Sequence, residues 1–244
     1  MSRVRNAFWW AVAVVLFTSA PAQLVAAAGQ AAGQTSDGDL KTLIRRAEQG
    51  DPEVQFSLGR IYEDGIGVER DYKEALNWYR RAANQGSPEG LRAMGVMYAF
   101  GLGVDQDFNA AVQWYLAAAA LGDAIAENNL GVMCQRGAGV AVDYAKAVEW
   151  YQRSADHGHI RALANLGAMY FKGLGVEKDV VKGLGMIRQV AEMGDEGAMY
   201  DLAAAYKNGD GVPRDDDEAL KWLQRAALRG SAFAAHTLGH VYLN

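Results

Sequence analysis

Few side chains in this 244-residue chain stand where they could do chemistry. His236 and His240 lie four residues apart, a spacing that sets two imidazoles on one face of a helix within reach of a shared metal ion. The string His-Thr-Leu-Gly-His lacks the glutamate that a zinc-peptidase helix places between its histidines, so it reads as a surface pair rather than a metal site. His157 and His159 flank Gly158 and read as capping or solvated residues. Cys134 is the only cysteine, which excludes an intramolecular disulfide and a zinc site built from several thiolates; it reads as a small buried hydrophobe. No Ser-x-x-Lys occurs beyond the N-terminal segment, and Lys41-Thr42-Leu43 is not Lys-Thr-Gly, so a serine β-lactamase site has no support. Gly-x-Gly-Val loops recur, but no Lys-Ser/Thr pair opens a helix after them, so they read as turns rather than phosphate cradles. The sequence offers no nucleophile–base pair and assigns no catalytic residue, no metal and no cofactor.

The charge balance narrows the partners. Half the residues are hydrophobic and 22% are charged, the composition of a folded soluble chain. Without residues 1–28, which hold Arg3 and Arg5, the 24 Lys and Arg fall to 22 against 29 Asp and Glu. A mildly acidic chain with no basic run is a poor ligand for phosphate backbones, so no nucleic-acid partner is expected. The first 28 residues read as a secretory signal: basic Arg3 and Arg5, an apolar stretch over 7–17, then Ala20-Pro21-Ala22 and Ala26-Ala27-Ala28 as candidate cleavage sites. This predicts a periplasmic or secreted protein. The apolar core is short for a membrane span, which needs roughly 20 residues; contact with a membrane follows only if the segment stays uncleaved. Residues 29–38 are polar and glycine-rich and read as a flexible tether.

The elements that must position any functional group come from an internal period. Leu58-Gly59 recurs as Met94-Gly95, Leu130-Gly131, Leu166-Gly167, Leu202-Ala203 and Leu238-Gly239, each step 36 residues. In the same register come Tyr62, Tyr98, Cys134, Tyr170 and Tyr206, the loops at 65–68, 101–104, 137–140, 173–176 and 209–212, and Asp71, Asp107, Asp143, Asp179 and Asp215. The pairs Trp78-Tyr79, Trp114-Tyr115 and Trp150-Tyr151 follow, and they decay to Met186-Ile187 and Trp222-Leu223. Asp51, Ser87, Asp123, Asp195 and Ser231 are placed to cap a first helix, A, and the Asp column to cap a second, B. One hairpin cannot bury its apolar face alone, so the expected product is an all-α, right-handed solenoid. It divides into a half-unit at 39–50, full units at 51–86, 87–122, 123–158, 159–194 and 195–230, and a half-unit at 231–244. The last half-unit lacks a polar capping helix; either the array pairs with something there or the chain is part of a longer one. Unit four carries Gly183 and Gly185 inside helix B, each costing about 1 kcal/mol against alanine. A soft segment is expected at 180–190.

The string Leu-Gly-x-x-Tyr, Gly-x-Gly-Val-x-x-Asp, Ala-x-x-Trp-Tyr-x-x-Ala-Ala-x-x-Gly resembles the Sel1-like repeat, a relative of the tetratricopeptide repeat, over residues 39–244. The resemblance implies an adaptor or scaffold. Exported bacterial members act in envelope regulation, exopolysaccharide assembly or host interaction. It also implies an alternative, the β-lactamase or penicillin-binding activity attached to a secreted subfamily with a cysteine pair in each repeat. The single Cys134 fits that subfamily poorly. In a solenoid the A helices line the concave wall, and the columns of Glu53, Phe56, Arg60 and Glu63 face out of the hairpin. Their chemistry changes from repeat to repeat, as suits a partner protein or an extended peptide; the oligomeric state is left open. Phe56, Arg60, Arg92, Asn128, Arg161, Phe171, Tyr200 and Lys207 are the candidate contacts, because aromatic and arginine side chains dominate binding hot spots.

Overall fold

Helix starts in this chain are written by acceptor side chains. The Asp51 carboxylate accepts from the backbone N–H groups of Glu53 and Val54, and Ser87, Asp123 and Asp195 do the same for Gly90, Ala126 and Ala198. Asp71, Asp107, Asp143, Asp179 and Asp215 cap the alternate helices in the same way. Each such cap stabilises its helix by about 1 kcal/mol. His159 occupies the one full-repeat helix start with no side-chain cap bond. The A helices stop on Gly65, Gly101, Gly137, Gly173 and Gly209, all left-handed, a conformation that alanine reaches only at a cost.

The computed structural model describes residues 37–243, and among them every regular element is a helix. The expected signal segment and all but the end of the expected tether lie outside the described residues. Asp37 and Gly38, assigned to the tether, instead open the first helix. The described residues fall into two compact units that divide between Val142 and Asp143.

The first unit holds α1 (Asp37–Glu48), α2 (Pro52–Asp64), α3 (Tyr72–Asn84), α4 (Pro88–Phe100), α5 (Phe108–Ala120) and α6 (Ala124–Arg136). Successive helices pack on one another, and α2 also touches α4, the next A helix. Ala47, Val54, Leu58, Ile61 and Trp78 form a core covered by Leu40, Leu43, Ile44, Tyr62 and Val68. Val68 thus plugs the hairpin from its apolar side. The glycine after each packing leucine or methionine has a definite partner. A Cβ on Gly59 would fall 2.5 Å from the Tyr79 ring, and one on Gly95 would collide with the Tyr115 ring. The Leu-Gly column and the Trp-Tyr column are two halves of one contact, glycine making the slot and tyrosine filling it.

The second unit holds α7 (Tyr144–Asp156), α8 (Ile160–Lys172), α9 (Val180–Glu192), α10 (Glu196–Asn208), α11 (Asp216–Leu228) and α12 (Ala232–Leu243), again packed in succession. Its core includes Leu184, Ile187, Val190, Met199, Leu202 and Trp222. Here Ile187 replaces the tyrosine, and the slot narrows. A Cβ on Gly183 would lie 2.5 Å from the Gly167 carbonyl and 2.6 Å from the Phe171 nitrogen, although fully buried Ala75, Ala111 and Ala147 fill that column elsewhere. The smaller Ile187 lets α9 settle closer to α8, and Gly183 is what the closer approach requires. Gly185 has nothing within 4 Å of a would-be Cβ. The two glycines therefore respond in opposite directions. Gly183→Ala destabilises by about 1–3 kcal/mol through overpacking against backbone. Gly185→Ala stabilises by about 1 kcal/mol through helix propensity. Urea unfolding of the two variants checks this, and shifts of the same sign would refute it. Of the two, only Gly185 carries the helix-propensity cost without a packing contact in return, since Gly183 fits a close backbone approach.

Candidate protein-binding surface

The candidate row on the A helices is partly committed to the scaffold. In the first unit Phe56 is half-buried, its ring 5.6 Å from that of Tyr79 and tilted by 36°. The Tyr79 hydroxyl donates to the Glu63 carboxylate. Burial pushes both groups above their ordinary values, and the bond to Tyr79 partly offsets this for Glu63. Arg60 pairs with Asp64 at 3.6 Å, one turn along α2. Arg92 bonds through Nε to Asp123 Oδ2 at 3.0 Å, gripping the residue that caps α6. Asn128 is buried, only 8% exposed, so its side chain does not face out as the spacing suggested.

The second unit presents its candidates more openly. Arg161 and Lys207 are exposed; Phe171 and Tyr200 are half-buried, Tyr200 lying against the apolar core. Lys207 reaches Asp216 at 3.1 Å, a surface pair of small energetic weight.

One residue of this surface was missed. Asp201 follows Tyr200 on α10, is half-buried, and has its carboxyl pushed up to about 7. Burial is the main cause, repulsion from Asp195 adds to it, and attraction by Lys172 opposes it. Burial in turn pulls Lys172 below the usual lysine value. The signal was available in the register. The column reads Ser57, Ala93, Asn129, Asn165, Asp201 and Thr237, with one ionisable member.

The histidine pair sits on α12 with ring centroids 4.6 Å apart, nearly edge to face. Among the described residues no group of three or more His, Cys, Asp or Glu side chains could hold a metal ion. Cys134 is buried, as expected of a small hydrophobe in the tyrosine column. No described helix is long and apolar enough to cross a membrane.

Comparison with known proteins matches the Sel1 repeat model five times, at residues 52–87, 88–123, 124–159, 160–195 and 197–231. The first four matches begin one residue later than the units set by the caps, and the fifth begins two later. Among solved structures, a Sel1 repeat protein from Oxalobacter formigenes is 34% identical, with a TM-score of 0.81 over 91% of this chain and 89% of that one. A protective antigen present in uropathogenic Escherichia coli strains, displaying an SLR fold, is 32% identical with a TM-score of 0.73; the match covers 91% of this chain but 48% of the antigen. An immunity protein from Pseudomonas aeruginosa, 20% identical with a TM-score of 0.57 over 87% of this chain and 84% of its own, shares the fold. No curated protein matches the chain significantly.

Proposed function

The chain belongs to the Sel1 repeat family, whose members generally serve as non-catalytic protein–protein interaction scaffolds, and from that premise we propose that it binds a partner protein or extended peptide along its A helices after export to the periplasm or beyond. The observation that carries this reading is the contrast between columns. Positions that build the hairpin repeat in kind, whereas the half-buried or exposed positions beside them run from Phe56 to Arg92 and from Arg161 to Tyr200 and Lys207. Within each unit a repeated backbone thus displays varied chemistry, which suits recognition of an extended ligand. Export rests on the character of residues 1–28.

The test is chemical crosslinking in envelope extract with capture of the mature chain. Arg161→Ala combined with Lys207→Ala removes two exposed side chains without opening a core. The wild-type chain should enrich a defined partner, and the double variant should lose at least tenfold of it, equivalent to about 1.4 kcal/mol. Failure of the wild-type chain to capture a partner, or equal capture by the variant, would overturn the proposal.

A further inference from the structure

The A helices carry a side-chain column with a local rule. In the first unit Asn129, on α6, stands beside the hydroxyl of Tyr115, which belongs to the B helix of the preceding repeat. Asn165 holds the same place after Tyr151. Where the preceding tyrosine is Tyr79, the column holds Ala93 and the hydroxyl turns to Glu63 instead. At the next repeat both members change together: the tyrosine becomes Ile187, which has no hydroxyl, and the asparagine becomes Asp201. A neutral pair is thereby exchanged for a carboxylate with no hydroxyl beside it.

The surroundings leave that acceptor reachable. Gly197 lies one turn before Asp201 on α10 and Ala204 one turn after, so neither i−4 nor i+3 neighbour brings a side chain that could cover it. Gly197 is exposed, and the sole atom within 4 Å of a Cβ placed there belongs to Asp195. Cations on the elements packed against α10 are held by other groups: Arg225 stacks on Trp222, and Arg229 donates through Nε to the Gly194 carbonyl at 3.2 Å. The α9 side contributes Leu184, Ile187, Val190 and Ala191, with Arg188 bonded to the Tyr206 hydroxyl. The α11 side contributes Trp222 and Leu223, and its first-turn acids Asp216 and Glu218 are paired with Lys207, Arg214 and Lys221. Lys172, at the end of α8, is the cation that acts on Asp201, and its attraction is weaker than the repulsion from Asp195. A half-buried carboxylate that its own fold neutralises only in part is costly to keep, and such groups concentrate at functional sites.

We propose that the α10 surface around Asp201, floored by Gly197 and Ala204 and flanked by Tyr200, is a receptor for one arginine or lysine side chain of the bound partner. The incoming cation supplies hydrogen-bond donors to the Asp201 carboxylate. Its charge also holds the carboxyl ionised, so binding strengthens as pH rises through about 7. This deepens the scaffold reading and rests on it for the identity of the ligand as a peptide or protein.

The test uses fluorescent octapeptides that differ only at one central residue: arginine or lysine against the neutral citrulline or norleucine. The full mature chain should bind the cationic peptides at least tenfold tighter than their neutral counterparts at pH 8, with the preference shrinking at pH 6. Asp201→Asn should bring the preference below about threefold. Thermal unfolding of the variant separates this from loss of fold. Equal binding of charged and neutral peptides, binding of neither, or a preference that survives Asp201→Asn would overturn the proposal. Partner capture from envelope extract reports on the scaffold reading separately: capture without charge preference sinks the receptor alone, and charge preference without capture sinks the scaffold reading alone.

Discussion

Gly103→Ala lowers the stability of the folded chain by about 3 kcal/mol, roughly three times the loss caused by Gly65→Ala. Both glycines sit in Gly-x-Gly-Val loops with nearly the same left-handed backbone, φ being 68° at Gly103 and 71° at Gly65. An alanine at either position carries the cost of a left-handed conformation, about 1 kcal/mol. The surroundings differ. A Cβ on Gly65 finds its nearest neighbours at 3.4 Å, ordinary contact. A Cβ on Gly103 would run into the Tyr72 carbonyl and the Lys73 nitrogen, at the start of the preceding repeat's B helix. Backbone cannot swing aside as a flexible side chain can, so the hairpins must separate, adding a further 1–3 kcal/mol. Gly139 against Phe108 and Gly175 against Tyr144 repeat the arrangement and should behave like Gly103. Chemical denaturation followed by far-ultraviolet circular dichroism measures the difference. Equal losses at Gly65 and Gly103 would show that the second loop glycine serves only its own turn.

That distinction marks the boundary of what can be read without coordinates. The period, the caps and the loop glycines were legible because each is a local requirement: a carboxylate for an orphan N–H group, a glycine for positive φ. Asp71 and Asp123 cap as their positions imply. What the glycines touch was not legible, because both loop glycines carry the same backbone signature and only stacking tells them apart. Gly183 was misjudged for the same reason. Helix propensity counts it as a weakness, whereas its value lies in backbone atoms of α8 that are distant in sequence. The candidate surface was legible as a row but not as individual side chains. Arg92 looks like a free arginine until Asp123, one repeat on, is found 3.0 Å away. Asn128 shares its column with exposed or half-buried residues and is itself buried. Asp201 could have been found from its column alone, by asking which position changes charge rather than which residue type favours interfaces.

Asp201→Asn stabilises the chain by about 2 kcal/mol at pH 8 and leaves it unchanged at pH 4. The folded carboxyl titrates at about 7, against 3.8 for an ordinary aspartate. Folding therefore favours the protonated form. Below pH 4 the group is protonated in both states and costs nothing. Between pH 4 and 7 the unfolded chain ionises while the folded chain retains its proton, so stability falls as pH rises. Above 7 both forms are ionised and the full penalty is present. Taken at face value, the displacement is worth about 4 kcal/mol; partial contact with solvent halves this to about 2 kcal/mol. Asparagine keeps the shape of the neutral carboxyl and already occupies this column at Asn129 and Asn165, so the substitution removes the slope without disturbing packing. Urea unfolding at pH 4, 6 and 8 checks it. Parallel pH profiles for the two proteins would mean that Asp201 is solvated in the folded chain. A diverging pair would establish that the chain sacrifices stability at neutral pH to keep a carboxylate on its A-helix surface. That sacrifice is what a cation-binding position requires, since an acceptor already neutralised by its own fold would have little to offer a partner.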